Sequence, residues 1–149
     1  MKVKDLLDRG NGFFGSIDLE DGVTTALGQM AANGVSALVV MAGDKAGGIF
    51  TERDLVRCYT LFPTQAIDTI RVKDVMTTKL IVAEPEDTVD TAMAMMMQAK
   101  IRHLPVVGDK EIIGMINLED LVKVHVGALT QELHYLKDYI SDLQDAAHD

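Results

Sequence analysis

The chain of 149 residues is 48% hydrophobic and 25% charged, a composition typical of one globular domain or of two very small ones that share a core. Its single cysteine, Cys58, excludes an intrachain disulfide. Its 14 lysine and arginine residues against 23 aspartate and glutamate residues give a net charge of -9, which disfavours nucleic acid as a partner because phosphate backbones would be repelled. The first ten residues lack an apolar signal core and the chain has no run of 18 apolar residues, so we expect a cytoplasmic protein without membrane contact.

The chain contains an internal repeat. At a shift of 66 residues, 23–57 superimposes on 89–123 without a gap, and 10 of the 35 positions are identical, whereas unrelated segments share about two. Further upstream, Val3-Lys4-Asp5 matches Val72-Lys73-Asp74 at a shift of 69. The sequence therefore predicts a duplicated unit whose first copy carries three extra residues in the loop Arg9–Gly15.

Both copies carry the same succession of predicted elements. In the first copy they are a strand at Ser16–Asp18, a helix from about Asp21, strands at Ala37–Ala42 and Gly48–Phe50, and a helix that opens at Thr51. In the second copy they are a strand at Leu80–Ala83, a helix from Glu86–Asp87, strands at His103–Val107 and Ile112–Ile116, and a helix that opens at Asn117. We expect repeats at 1–60 and 72–125, joined by a connector at 61–71.

The fold class that follows is α/β (α+β). A β-α-β-β-α unit of about 60 residues leaves one sheet face uncovered, so we expect two copies to pack around a pseudo-twofold axis as one composite domain. The segment 126–149 is predicted to form a C-terminal amphipathic helix, which either pairs with another subunit, the favoured interpretation, or packs on its own module. Its heptad positions continue from the second copy and are Val122, Val126, Leu129, Leu133, Leu136, Ile140, Leu143 and Ala147, flanked by Tyr135 and Tyr139.

Two short motifs accompany the repeat. The pattern Gly-x-apolar-Thr/Ser-x-x-Asp runs from Gly48 to Asp54, and it recurs from Gly114 to Asp120 with Asn117 in place of the hydroxyl residue. The second motif, KIRHLPVV, spans 100–107. In this order and spacing, residues 1 to about 125 resemble a tandem pair of cystathionine β-synthase (CBS) domains, also called a Bateman module.

The resemblance implies a regulatory protein that binds an adenosine-containing ligand: AMP, ADP, ATP, NAD or S-adenosylmethionine. It places phosphate at Thr51 and at the basic pair Arg102 and His103, and ribose at Asp54, with no catalytic cofactor. The adenine would lie on apolar residues of the second copy's first strand. The implied nucleotide-binding residues are Thr51, Arg53, Asp54, Leu80, Ile81, Val82, Arg102 and His103.

The same residues have plain structural interpretations. Thr51 and Asp54 match a capping-box helix start, at which the helix dipole favours the carboxylate, although such a start is also a ready phosphate site. His103 would then be a half-buried core histidine, and Arg102 a surface ion-pair partner. Two adjacent basic residues in an acidic chain favour the nucleotide site.

A second, weaker site is predicted from the other copy. It consists of Ser36, Ala37, Asn117 and Asp120, with Ser36 and Ala37 at the positions that match Arg102 and His103. Because these two residues carry no positive charge, we expect this site to bind a ligand weakly, to bind something uncharged, or to be structural.

No catalytic constellation or metal cluster emerges from the sequence, so we do not expect an enzyme. The methionines near residue 95 and the lone Cys58 are predicted to serve in packing. The preferred hypothesis is a homodimeric adenosine-ligand sensor that acts on an unidentified regulated protein, for example as a separate subunit of an oxidoreductase or kinase. The alternative is a ligand-free structural or assembly module that dimerises through its CBS helices and the C-terminal helix.

Overall fold

The first copy forms a three-stranded sheet with helices on it. The computed structural model describes residues 1–127 and, beyond them, residues 129, 131, 136, 142 and 143. The elements of the first copy are β1 (Gly15–Asp18), α2 (Val23–Asn33), β2 (Ala37–Ala42), β3 (Lys45–Thr51) and α3 (Glu52–Leu61). Strand β2 lies in the centre, parallel to β1 and antiparallel to β3. The predicted β-α-β-β-α order is therefore confirmed in this copy.

The second copy repeats this order with one strand missing. Its elements are α5 (Val89–Ala99), β4 (His103–Gly108), β5 (Glu111–Asn117) and a helix α6 that begins at residue 118 and is described through 127. The predicted strand Leu80–Ala83 is wrong, because only Ala83 is bridged to β4. Its N–H donates to the carbonyl of Pro105 (2.8 Å), and its carbonyl accepts from Val107 (2.9 Å). The next bond of a parallel ladder would need the N–H of Pro105, which proline lacks.

A short helix precedes each copy and packs on the other copy. These helices are α1 (Val3–Asp8) and α4 (Val72–Val75). The N–H of Val3 donates to Asp87 in the second copy (2.8 Å), and the N–H of Val72 donates to Asp21 in the first (2.8 Å). Both valines are fully buried in the core of the copy that they join. The two repeats are thus interlocked, which agrees with one composite domain.

The two sheets meet at a shared apolar layer. Its buried members are Ala37, Val39, Ile49 and Met115. Next to this layer, Thr77 forms two backbone hydrogen bonds with Ile49 (2.9 Å each), and the carbonyl of Gly12 accepts from Met115 (3.0 Å). A Cβ on Gly48 would collide with the carbonyl oxygen of Thr77. The glycine in the first motif is therefore required by a close backbone crossing.

The C-terminal heptad positions are described only in part. The ones that are described are 42–52% exposed: Val122, Val126, Leu129, Leu136 and Leu143. The other predicted positions, Leu133, Ile140 and Ala147, with Tyr135 and Tyr139, lie outside the described residues. The pairing of this segment with another subunit stays a prediction. Within the described part of the chain, no helix is long and apolar enough to cross a lipid bilayer.

Candidate functional site

A cleft of about 440 Å³ opens where the start of α3 faces the start of β4. We call it the first cleft. Six of the eight residues predicted to bind nucleotide line it: Thr51, Arg53, Leu80, Ile81, Arg102 and His103. Residues from both copies therefore meet in one place, because the pseudo-twofold packing sets the C-terminal end of β3 beside the N-terminal end of β4. The lining combines apolar side chains with cations.

Asp54 lies beneath the first cleft and does not line it. Its side chain is 1% exposed. The Oδ2 atom accepts from the backbone N–H of Thr51 (2.9 Å), which is the capping arrangement expected at a helix start. The Oδ1 atom accepts from the hydroxyl of Thr77 (2.9 Å) and from Nη1 of Arg57 (3.3 Å). Asp54 thus ties the start of α3 to the segment 77–81, which also contributes to the lining of the cleft.

Val82 also stays out of the first cleft. It is 37% exposed, whereas Leu80 and Ile81 line the cleft. The segment lacks strand pairing until Ala83, so its side chains do not alternate across a sheet as the predicted strand would require. Any apolar platform for a base here consists of Leu80 and Ile81, together with Ile49 and Pro105 from the flanking strands.

The first cleft has an excess of positive charge. Arg53, Lys79 and Arg102 line it, against the single carboxylate of Glu52. One guanidinium is held in place, because Nη2 of Arg53 donates to the carbonyl of Lys100 across the repeat boundary (2.7 Å). Sequence reasoning missed Lys79 and Glu52. In the sequence, Lys79 and Glu52 are notable only as neighbours of Leu80 and Thr51. Until the fold is known, that position does not indicate that the two residues line the same cleft.

A second cleft, of about 850 Å³, opens on the other side of His103. Three of the four residues predicted for the weaker site line it: Ser36, Ala37 and Asn117. Asp120 does not line it. Instead, the backbone N–H of Asp120 donates to Oδ1 of Asn117 (2.9 Å), so Asn117 caps α6.

The second cleft is not without basic residues, which corrects the expectation. Arg102 and His103 line it as well as the first cleft, and so does Glu52. The reason is that the start of β4 lies on the boundary between the two clefts and presents side chains to both. The charge difference between the clefts has another origin. At the repeat shift of 66, Glu119 of the second cleft occupies the position of Arg53.

His103 forms the wall between the clefts. Its Nε2 atom lies 2.7 Å from Oγ of Ser36, a hydrogen bond between the two copies. Burial lowers the pKa of His103 below its usual 6.5, and Arg102 lowers it further, while Glu52 and Glu119 raise it without offsetting the burial. His103 is therefore neutral at pH 7, and permanent positive charge at this boundary comes from Arg102.

The remaining candidate groups have packing roles. Cys58 is buried, its thiol donates to the carbonyl of Asp54 (3.4 Å), and burial raises its pKa, so it is protonated and shielded. Met96 is fully buried in the core of the second copy. Among the residues that the structure describes, no group of three or more His, Cys, Asp or Glu side chains is placed to hold a metal ion.

Comparisons with known proteins agree with this arrangement. A family model described as CBS domain matches residues 14–60 and 72–127. Over 126 residues, the chain is 38% identical to the mitochondrial CBS domain-containing protein CBSX3 of Arabidopsis thaliana. That match covers 81% of this chain and 61% of the plant protein, so the chain spans about three fifths of that relative's length.

Solved structures share the fold. The CBS domain structure of NE2398 superimposes with a TM-score of 0.79 at 34% identity, covering 85% of this chain and 98% of that one. The CBS domain pair of MJ0100, in complex with 5′-methylthioadenosine and S-adenosyl-L-methionine, superimposes with a TM-score of 0.73. The latter covers 86% of this chain and 98% of its own, and at 21% identity it supports the fold alone.

Proposed function

Since this chain belongs to the CBS domain family, we propose that it is a regulatory module that binds an adenosine-containing ligand in the first cleft. The observation that carries the proposal is that Arg53, Lys79 and Arg102 line one cleft together with apolar residues, at the start of a helix. Three cations from different parts of the chain suit a phosphate group, and the apolar residues suit a base. AMP, ADP, ATP and NAD all fit this description. S-adenosylmethionine, the ligand of the MJ0100 domain pair, lacks a phosphate and is the weaker candidate.

The ligand would lie across both copies. Its phosphate would contact Arg102 and Arg53 and the hydroxyl of Thr51, where the orphan N–H groups of the helix start also favour an anion. The adenine would rest on Leu80 and Ile81. A ribose contact with Asp54 requires a movement that exposes one of its oxygens, because the side chain is 1% exposed and both oxygens are already hydrogen-bonded within the fold.

Binding would act by changing how the copies sit against each other. A ligand that contacts residues of both copies favours the arrangement to which it binds more tightly, and this bias is the physical basis of a sensor. The module itself would be non-catalytic, cytoplasmic and free of nucleic acid. It would act on a separate regulated protein, for example an oxidoreductase or a kinase.

A homodimer is the proposed state, and two equivalent helices favour it. Val56 and Tyr59 on α3 are 64% exposed, and Val122 and Val126 on α6 are about half exposed. Val56 and Val122 occupy the same repeat position, so each copy presents exposed apolar side chains on its last helix, which a second copy would cover. The same surface supports the second candidate function, a ligand-free assembly module.

A thermal-shift panel separates the two candidates. Adenine nucleotides at a concentration 100 times their Kd would stabilise the folded chain by about 2.7 kcal/mol, which raises its melting temperature measurably. Guanine nucleotides serve as matched controls for phosphate binding without adenine. No stabilisation by any adenine nucleotide at millimolar concentration would favour the assembly module.

A further inference from the structure

The two clefts lie at equivalent positions of the repeat, but the residues that line them carry different charges. At the shift of 66, Arg53 and Arg102 of the first cleft correspond to Glu119 and Ser36, and both of these replacements line the second cleft. The counterpart of Lys79 falls in the loop Arg9–Gly15, which holds the three extra residues, and from this loop the uncharged Phe13 and Phe14 line the second cleft. Phe13 is 73% exposed there. The duplication has therefore placed a cleft at both equivalent positions, with different charges lining each.

The residues that line both clefts do not remove this charge difference. Glu52 and Arg102 line both clefts, and neutral His103 stands between them. The first cleft thus has Arg53, Lys79 and Arg102 against Glu52. Among the described residues, the second cleft has Arg102 against Glu52 and Glu119. An anionic phosphate is attracted by the first lining and repelled by the second, and Arg102 cannot neutralise a phosphate in both clefts at once.

We propose that positions 53 and 119 are the specificity determinants of the module: Arg53 admits a phosphate-bearing ligand to the first cleft, and Glu119 excludes phosphate from the second. Each chain then binds one nucleotide, and the second cleft is left to ligands that carry no phosphate. This inference rests on the proposed function of the first cleft. The difference in phosphate binding between the clefts is assigned to one residue in each cleft. Arg102 and His103 do not explain this difference, since both line the two clefts.

The test is a calorimetric titration of the full chain with AMP, and with adenosine as the ligand that lacks phosphate. Wild type is expected to bind one AMP per chain. Glu119→Arg replaces the repelling carboxylate with a donor and should create a second AMP binding event. Glu119→Gln is the matched control, since it removes the negative charge without adding a cation, and it should give at most a weaker second event. Both substitutions are at an exposed residue.

The reverse substitution tests the first cleft. Arg53→Glu should lower the ratio of AMP affinity to adenosine affinity by roughly 10- to 150-fold, the range for losing a charge-assisted hydrogen bond. Two equal AMP sites in wild type, or a single AMP site that neither substitution alters, would overturn the assignment of positions 53 and 119 and leave the proposed function standing. Wild type that binds no AMP would overturn both.

Discussion

Ser36 and His103 meet across the boundary of the two repeats, with Oγ of Ser36 and Nε2 of His103 2.7 Å apart. The two residues stand one position apart in the repeat register, so the contact is not a symmetric pair but a junction near the pseudo-twofold axis. Both residues line the second cleft, and His103 also lines the first. A ligand that displaced either side chain would therefore break this hydrogen bond and change the lining of both clefts.

The buried state of His103 predicts a pH dependence of stability. Because its pKa is lower in the folded chain than in the unfolded chain, the unfolded state binds more protons near pH 6, and the free energy of unfolding falls as the pH drops below about 6.5. His103→Gln keeps a hydrogen-bonding partner for Ser36 and should flatten this dependence between pH 7.5 and 5.5 in urea unfolding. The exposed His125→Gln is the control. An equal slope in wild type and His103→Gln would contradict the prediction.

The close crossing at Gly48 predicts a large cost for a single methyl group. In Gly48→Ala, the new Cβ would meet the backbone carbonyl of Thr77, and backbone cannot move aside as a flexible side chain can. We expect a loss of about 1–3 kcal/mol in the free energy of unfolding, measured by urea denaturation. Gly28→Ala in α2 is the matched control, since nothing lies within 4 Å of its new Cβ and alanine favours helix. Similar effects of the two substitutions would show that the crossing does not constrain Gly48.

Asp54 and Asp120 occupy equivalent repeat positions, but their substitution should cost different amounts of stability. The carboxylate of Asp54 is buried and accepts from Thr51, Thr77 and Arg57. We expect Asp54→Ala to lower the free energy of unfolding by about 1.5–3 kcal/mol, because buried donors lose their acceptor. Asp120→Ala should cost less, since the side chain of Asn117 caps α6 by accepting from the backbone N–H of residue 120, which alanine retains. Equal losses in chemical denaturation would refute this distinction.

The exposed apolar face predicts a role for the tail in dimerisation. Truncation after Gly127 removes six of the eight predicted heptad positions and should lower the apparent mass, or raise the dimer dissociation constant, in sedimentation equilibrium. Tyr59→Glu on α3 tests the other part of the surface by placing a charge in the proposed contact, at a residue that lines neither cleft. An unchanged dimer constant in the truncated chain would instead indicate that the seam packs on its own module.

Local pattern was enough to predict most elements. The internal repeat and the hydrophobic periodicity predict α2, α3, α5 and the start of α6, and five of the six predicted strands are observed close to their positions, because these signals depend on neighbours in sequence. The short helices α1 and α4 were not predicted as helices. The predicted strand Leu80–Ala83 is absent because Pro105, on the adjacent strand β4, has no N–H to continue the hydrogen-bond ladder. That effect crosses between strands, so the apolar run alone did not reveal it.

The site was harder to predict because its shape depends on how the copies pack. The sequence predicts that Arg102 and His103 make the two sites unequal, yet both residues line each cleft. The actual difference, Arg53 against Glu119, could be read from the aligned repeat only after the fold showed that these positions line the clefts. The short segment Val3-Lys4-Asp5 was matched to its copy, but nothing local indicated that each short helix joins the opposite core.

The most direct measurement of the central claim is the affinity of AMP for the full chain by calorimetry, compared between wild type and Arg102→Ala. We predict that losing this guanidinium weakens AMP binding by roughly 10- to 150-fold. Lys45→Ala, which removes an exposed cation at the far end of β3, is the matched control and should leave AMP affinity within about twofold of wild type, because screening weakens distant surface charges. Equal affinities in the two variants, or no AMP binding by wild type at millimolar concentration, would contradict the account.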